Sequence, residues 1–175
     1  MSFGGLSQRI VNLANLLVGR FTGGMGMTAV SSSMFFSAIS GSSPATVVAV
    51  GSLLYPAMKE QGYKRSFSIG VIVASGSIGI IIPPSIVMIV YAAVTGVSVG
   101  ALFMAGLGAG LLYGACFFPY CYYQARKDGV KRSPAPTAQQ FWQALKDAAW
   151  GLGVPVVVLG GIYGGIFTPT EAAAV

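Results

Sequence analysis

Hydrophobic positions in this chain come in long runs, and the polar positions that interrupt them fall at the centres of those runs. Two runs carry no charged side chain, Phe21 to Met58 and Ser66 to Ala125, and a third apolar run follows from Trp150 to Phe167. One bilayer crossing takes about 20 apolar residues. The second run, about 60 residues long, therefore holds two crossings and a turn. The first run is centred on Ile39-Ser40-Gly41-Ser42-Ser43-Pro44. The second contains Gly79-Ile80-Ile81-Ile82-Pro83-Pro84-Ser85. A helix broken at membrane depth leaves carbonyl and N–H groups without partners, which is tolerated only where the break is buried in protein or lines a watery cavity.

The pattern predicts an all-α polytopic membrane protein. Residues 1–20 form a first segment in which Leu6, Ile10, Leu13 and Leu17 share one helical face while Ser7, Arg9, Asn12 and Asn15 lie mostly elsewhere. This suits an amphipathic helix lying at the interface. A plain buried helix is the alternative, which Arg9 and Arg20 disfavour. Residues 21–58 are flanked by Arg20 and Lys59. If basic flanks stay on the cytoplasmic side, this run enters and leaves on one face, as a re-entrant helical hairpin. Two short spans with a polar loop outside the membrane are the alternative. Ser43 and Pro44 read as an N-cap and first-turn pair that start the returning helix. Residues 66–95 form a broken transmembrane helix and residues 98–125 a second crossing. There Gly106, Gly110 and Gly114 repeat at a spacing suited to close helix packing. Residues 126–149 form a cytoplasmic loop and surface helix, with Thr137 and Gln140 at capping-box spacing. Residues 150–168 cross again. Residues 169–175 start another helix, for which Thr168 and Glu171 read as cap and N3 partner. The chain then stops inside an apolar stretch, as expected of a fragment of a longer subunit.

Composition narrows the function. Of 175 residues, 8% are charged, against roughly 25% in a soluble domain. The net charge of +6 sits between apolar runs, as membrane topology requires, and gives no sign of nucleic-acid binding. Histidine is absent, which removes the usual zinc ligand and catalytic base. Cys116 and Cys121 point in different directions on one helix and read as packing residues, not a disulfide. No secretory leader is apparent in residues 1–20. No Ser/His/Asp set, H-E-x-x-H or Walker phosphate loop is present, so the chain is not read as an enzyme, and an ion gradient is the simpler energy source.

The chemistry lies in the two breaks. Where one half-helix ends it presents free carbonyls carrying roughly half a negative charge, and where another starts it presents free N–H groups of opposite sign. Carbonyls and serine hydroxyls suit a bare Na⁺, and N–H groups suit a carboxylate. A structural kink at Pro83-Pro84 is the plainer alternative. Glycine stripes read as packing devices, Glu171 as a capping residue, and Tyr91 and Thr95 as packing residues.

Three motifs, Met34-Phe35-Phe36-Ser37-Ala38-Ile39-Ser40-Gly41-Ser42-Ser43-Pro44-Ala45-Thr46, Gly79-Ile80-Ile81-Ile82-Pro83-Pro84-Ser85 and Gly161-Ile162-Tyr163-Gly164-Gly165-Ile166-Phe167-Thr168-Pro169-Thr170-Glu171-Ala172-Ala173, resemble in order the large membrane subunit of the TRAP transporters, the DctM-like family. The likeness covers nearly the whole chain. It implies a multi-pass protein of the bacterial inner membrane that couples Na⁺ influx to uptake of organic anions such as C4-dicarboxylates or sialic acid. It implies an elevator-type fold of two inverted repeats, of which this chain holds about one, and would make the interfacial helix of residues 1–20 an arm helix. It implies two partners, a small four-helix membrane subunit and a periplasmic solute-binding protein. By position, Ser40, Gly41, Ser42, Ser43, Gly79, Ile80 and Pro83 would frame a Na⁺ site, and Ser42, Ser43, Pro84 and Ser85 would form one side of the substrate cavity. A divalent-anion/Na⁺ symporter without a binding protein, or a channel or scaffold subunit, are the competing readings.

The charge pattern predicts that residues 59–65 and 126–146 are cytoplasmic and that Thr95–Ser98 faces the other side. Single cysteines at Lys64, Ser98 and Lys131, in a cysteine-free background, test this with an impermeant maleimide on intact cells. Labelling is expected at position 98 alone; labelling at 64 or 131 but not at 98 would reverse the orientation.

Overall fold

A computed structural model of the chain describes residues 5–130 and 138–164. Among these residues it is helical without strands: α1 (Leu6–Val18), α2 (Gly24–Ser40), α3 (Ser43–Glu60), α4 (Arg65–Gly76), a short 3-10 turn (Ser77–Ile80), α5 (Ile86–Thr95), α6 (Val99–Lys127) and α7 (Ala138–Tyr163).

Helix α2 is the hub, packed against α1, α3, α4 and α6. Its small side chains make this possible. Gly26, Thr28, Ala29, Ser31, Ser32, Ser33 and Ser37 are all buried, and small residues let helix backbones approach closely. A buried hydroxyl is costly unless hydrogen-bonded, and the carbonyl four residues back is the nearest acceptor. Thr28 Oγ1 donates to the Gly24 carbonyl at 2.7 Å and Ser37 Oγ to the Ser33 carbonyl. Ser33 and Ser75 share a hydrogen bond of 3.0 Å, Oγ to Oγ, that ties α2 to α4. Helix α1 runs back along α2. Its Asn15 meets Thr28, and Ser7 and Gln8 share a groove with Phe36 and Pro44. Its residues Ile10, Leu13 and Ala14 are buried.

The two arms α2 and α3 form an antiparallel hairpin whose ends meet at one end of the molecule. The Tyr63 hydroxyl lies against the backbone of Met25 and Gly26, and burial pushes its pKa up to about 12. Its ring stacks on Phe67 at 5.6 Å, and Phe67 meets Tyr120 at 5.9 Å. Lys64 Nζ pairs with Asp128 Oδ1 at 2.6 Å. Gln124 Nε2 donates to Asp128 Oδ2 at 2.9 Å. The Asp128 side chain is only 3% exposed in this clasp. The turns before α2, after α3 and after α6 therefore cluster together, and the basic residues gather there.

Among the described residues, α6 is the one unbent helix long and apolar enough to cross a bilayer. Its outer face stays exposed at Met104, Leu111, Leu112 and Tyr123, as does that of α5 at Ile86, Val87, Val90 and Val94. Helix α7 combines the expected surface helix and crossing in one element, bent by 58° between Trp142–Ala149 and Gly153–Tyr163. Gly151, Gly153 and Pro155 lie at or just beyond the bend, and proline and glycine are its ordinary causes. Cys116 and Cys121 are both free. The readings at Thr137 and at Thr168–Glu171 lie outside the described residues.

One boundary is corrected. The helix after the hairpin tip begins at Ser43, with Ser42, not Ser43, in the N-cap position, and the Ser42 side chain makes no capping bond. Pro44 still falls in the first turn. Proline lacks only an N–H that a first turn would leave unpaired anyway.

Hydrogen bonds from Lys64 and Gln124 hold the Asp128 carboxyl below the usual carboxylate range. A lowered folded pKa gives stability that is present above the ordinary value of about 4 and is lost as pH falls through the folded value. Asp128→Asn is therefore expected to lower the melting temperature of the intact permease at pH 7. That difference should shrink steadily below pH of about 4. An undiminished difference at the acidic end would assign the effect to packing instead of charge.

Candidate functional site at two facing helix breaks

The first break is the tip of the α2–α3 hairpin. Helix α2 ends because Gly41 turns left-handed, with φ 60° and ψ 12°, a conformation that glycine adopts without steric cost. Its N–H closes on the Ser37 carbonyl at 2.8 Å. Ser42 is extended, and the chain re-enters a helix at Ser43. The Ser42 carbonyl accepts from both Thr46 N–H at 3.1 Å and Thr46 Oγ1 at 2.8 Å.

The second break follows from the two prolines. Neither carries an N–H, and each restricts the residue before it away from the helical region. Helix α4 tightens into the turn Ser77–Ile80, and the Ile81 and Ile82 N–H groups both close on the Ile78 carbonyl, at 2.9 and 3.0 Å. The Pro83-Pro84 peptide is cis. Ser85 is extended and precedes α5, and its Oγ turns back to the Ile80 carbonyl at 2.9 Å instead of capping α5.

These two breaks touch. The Ile86 N–H donates to the Gly41 carbonyl at 3.3 Å. A Cβ on Gly41 would lie 2.6 Å from the Pro84 carbonyl oxygen, and a Cβ on Gly79 would lie 2.9 Å from the backbone of Ser42 and Ser43. Glycine at both positions is what lets backbone meet backbone. Gly41, Gly79, Pro83 and Ser85 are buried; Ser40, Ser42, Ser43 and Pro84 are half-buried. Ile80 is 39% exposed, so its side chain faces outward and only its carbonyl takes part. Two helix C-termini and two helix N-termini thus converge on one small region with no charged side chain in either break. Partial charges of both signs are fixed there by the backbone. The carbonyls of Gly41, Ser42 and Ile80 already accept hydrogen bonds within the protein. For Gly41 and Ile80 one such bond is found, and a carbonyl oxygen has two lone pairs.

Two supporting features escape a sequence reading. The Ser33–Ser75 pair and Ser37 form a hydroxyl ladder below the tip; each serine is visible in the chain, but which helix it faces is not. The glycine stripe of α6 also has a more specific partner than another helix. A Cβ on Gly106 would lie 2.5 Å from the Ile81 carbonyl oxygen, and one on Gly110 would lie 2.5 Å from the Ile82 side chain. The stripe seats the broken segment itself.

Gly79→Ala is expected to push the tip off the break and lower the melting temperature of the intact permease by several degrees, roughly the effect of 1–3 kcal/mol of misfit. Gly70 has nothing within 4 Å of an added Cβ, so Gly70→Ala serves as the control and should be near neutral. Equal behaviour of the two variants would show that the contact is loose.

The comparisons with known proteins bear on this geometry. The family model described as "Tripartite ATP-independent periplasmic transporter, DctM component" matches residues 1–175. The C4-dicarboxylate TRAP transporter large permease protein of Vibrio cholerae is 50% identical over 175 residues, which is 100% of this chain and 39% of that protein. The isethionate TRAP transporter permease protein of Oleidesulfovibrio alaskensis is 49% identical over 99% of this chain and 28% of its own length. The ectoine TRAP transporter large permease protein of Halomonas elongata is 45% identical over 99% of this chain and 41% of its own length. The chain thus spans about two fifths or less of the curated relatives it matches. These relatives are membrane permeases and not enzymes. With a family match across its whole length, the chain belongs to the DctM component of the tripartite ATP-independent periplasmic (TRAP) transporters.

Proposed function

We propose that this chain forms one ion- and substrate-binding half of a Na⁺-coupled permease that imports organic anions. The observation that carries the reading is the direct contact between the hairpin tip and the unwound segment. Depth supports it. Gly106 and Gly110 seat Ile81 and Ile82. At about 1.5 Å per residue, Gly106 lies about 10 Å along α6 from Val99 and about 30 Å from Lys127. The aromatic cluster Tyr120, Tyr122 and Tyr123 marks the interface on the basic side. Gly110 lies about 15 Å from Tyr120 along the helix, near the middle of a hydrocarbon layer about 30 Å thick. These distances support reading α2–α3 as a re-entrant hairpin with its tip at mid-depth and both ends at the basic side, and 66–95 as a broken span.

Mechanism follows from the dipoles. Na⁺ is a hard cation and takes oxygen ligands. Those on offer are carbonyls and hydroxyls of Ser40, Gly41, Ser42 and Ser43 from the tip, and carbonyls of Gly79, Ile80 and Pro83 from the break. Burying no permanent charge avoids the large cost of an ion in lipid when the site is empty. Bound Na⁺ holds the tip against the break. A substrate carboxylate is then received by N–H groups at the starts of α3 and α5, with Ser42, Ser43, Pro84 and Ser85 lining that side. Because the ion fixes the surface that the anion needs, each raises the other's affinity, and the coupling is reciprocal. The hairpin, α4, α5 and α6 would carry the site as one body in an elevator movement, with α1 as the arm. The substrate class is an organic anion such as a C4-dicarboxylate or sialic acid. A periplasmic solute-binding protein delivers it, and a small four-helix membrane subunit completes the complex in the bacterial inner membrane. The remaining contacts come from a second repeat.

The test uses the full complex reconstituted in vesicles. Ser42→Ala, Ser43→Ala and Pro83→Ala are expected to raise the Na⁺ concentration for half-maximal uptake. Each lost ligand or hydrogen bond is worth roughly 1–3 kcal/mol, or about 5- to 150-fold. Binding-protein docking should be unchanged. Wild-type Na⁺ dependence in all three variants would move the ion site elsewhere. Saturable uptake without the binding protein would favour a simple symporter, and a conductance independent of any gradient would favour a channel.

A further inference from the structure

A second polar site lies away from the two breaks, between α1 and the surface half of α7. It is a groove of about 320 Å³ lined by Arg9, Asn12, Asn15 and Leu16 on α1 and by Gln143 and Asp147 on α7. Arg9 and Asp147 are both exposed. Arg9 Nη1 donates to the Asp147 main-chain carbonyl at 3.4 Å, so the bond leaves the other guanidinium donors and the Asp147 carboxylate unused, and both residues line the groove. Among the described residues neither charged group has an ion-pair partner.

One amide of α1 is oriented by its neighbour. Asn12 Oδ1 accepts from Gln8 Nε2 at 3.1 Å, whereas the Thr28 hydroxyl proton goes to the Gly24 carbonyl and leaves the Asn15 amide free to turn either edge to the groove. With its oxygen engaged, Asn12 has its NH₂ group left for the groove. One wall thus offers a guanidinium and the Asn12 amide donor, which match a phosphate. The other offers a carboxylate, which matches an ammonium. A lone anion would be repelled by Asp147, and a lone cation by Arg9. A zwitterion carrying phosphate and primary ammonium on one short link meets both walls.

The setting makes that zwitterion a lipid headgroup. Asn15 and Thr28 lie close to the turn at residues 19–23, at the basic end. The groove sits where α7 bends by 58° from its surface half into the apolar half Gly153–Tyr163. Val154, Val156 and Val157 are exposed on that apolar half, a surface for acyl chains. We propose that the groove formed by Arg9, Asn12, Asn15 and Asp147 binds a phospholipid with a primary-ammonium headgroup, phosphatidylethanolamine in chemical class, and so moors α1 to the bend of α7. This site is independent of the ion and substrate reading.

Lipid retention by the intact permease, purified with its small subunit in mild detergent, tests the assignment. Phosphatidylethanolamine, phosphatidylglycerol and phosphatidylcholine with identical acyl chains are offered together and counted by native mass spectrometry. The wild type is expected to retain phosphatidylethanolamine about tenfold over either competitor, since only it presents both a phosphate and N–H donors to Asp147. Asp147→Asn should abolish that preference over phosphatidylglycerol while keeping lipid bound. Arg9→Gln should reduce retention of all three, and Arg9→Lys should restore much of it. Both side chains are exposed, so folding should survive, as gel filtration would check. Should Arg9→Gln nonetheless aggregate, Asp147→Asn alone decides the matter. Equal retention of the three lipids by the wild type, or a preference that survives Asp147→Asn, would overturn the proposal. Displacement by an equal concentration of free phosphoethanolamine would overturn the assignment to a lipid.

Discussion

Everything in this structure depends on how two interrupted helices satisfy their backbones without water. At the hairpin tip and at the proline break, carbonyls and N–H groups lose their helical partners, and in a bilayer each such group costs several kcal/mol if left alone. The chain answers by placing the two breaks against each other. Gly41 and Gly79 carry no Cβ, so the Gly41 carbonyl reaches the Ile86 N–H and the Ser42–Ser43 backbone lies on Gly79. Ser85 Oγ takes the Ile80 carbonyl. The geometry of this region is therefore a consequence of mutual repair between the two breaks.

The surrounding helices are arranged to hold that contact in place. The hydroxyl-rich α2 packs most extensively on α1, α3, α4 and α6 because its side chains are small, and the hydroxyls of Thr28, Ser33 and Ser37 return to the backbone or to Ser75. The α6 glycines receive Ile81, Ile82 and Met34. At the opposite end the Lys64–Asp128 pair and the Tyr63–Phe67–Tyr120 stack fasten the hairpin base to α6. The hairpin is fixed at its base by charge and aromatic packing and at its tip by backbone contact. Between those points Met27, Val30, Phe36, Val50, Leu54 and Met58 pack in one hydrophobic core with Val71, Ile72 and Ile78.

Family membership constrains this picture without completing it. Relatives whose names specify a C4-dicarboxylate, isethionate and ectoine all share 45–50% identity with this chain. A backbone-built site explains how that is possible. Carbonyl and N–H groups are the same whatever side chains surround them, so the contact between the two breaks can persist while the side chains around it change.

What the sequence determined by itself was the existence and location of the breaks. Glycine, proline and serine at the centres of uncharged runs have strong local consequences: Pro83-Pro84 cannot continue a helix, Gly41 accepts a left-handed turn, and basic residues at 20, 59 and 64–65 mark one end. These are properties of a residue and its immediate neighbours, so they are legible in one dimension. The helix start after the tip was misplaced by one residue, because either Ser42 or Ser43 can precede Pro44 and only the backbone torsions choose. Tertiary structure alone decided which groups meet. That Gly79 lies on Ser42–Ser43, that Ser33 bonds Ser75, that the α6 stripe seats the unwound segment, and that Arg9 and Asp147 share a groove all depend on the relative rotation and depth of helices. Those are set by the summed packing of many small contacts, and no local spacing in the chain encodes them.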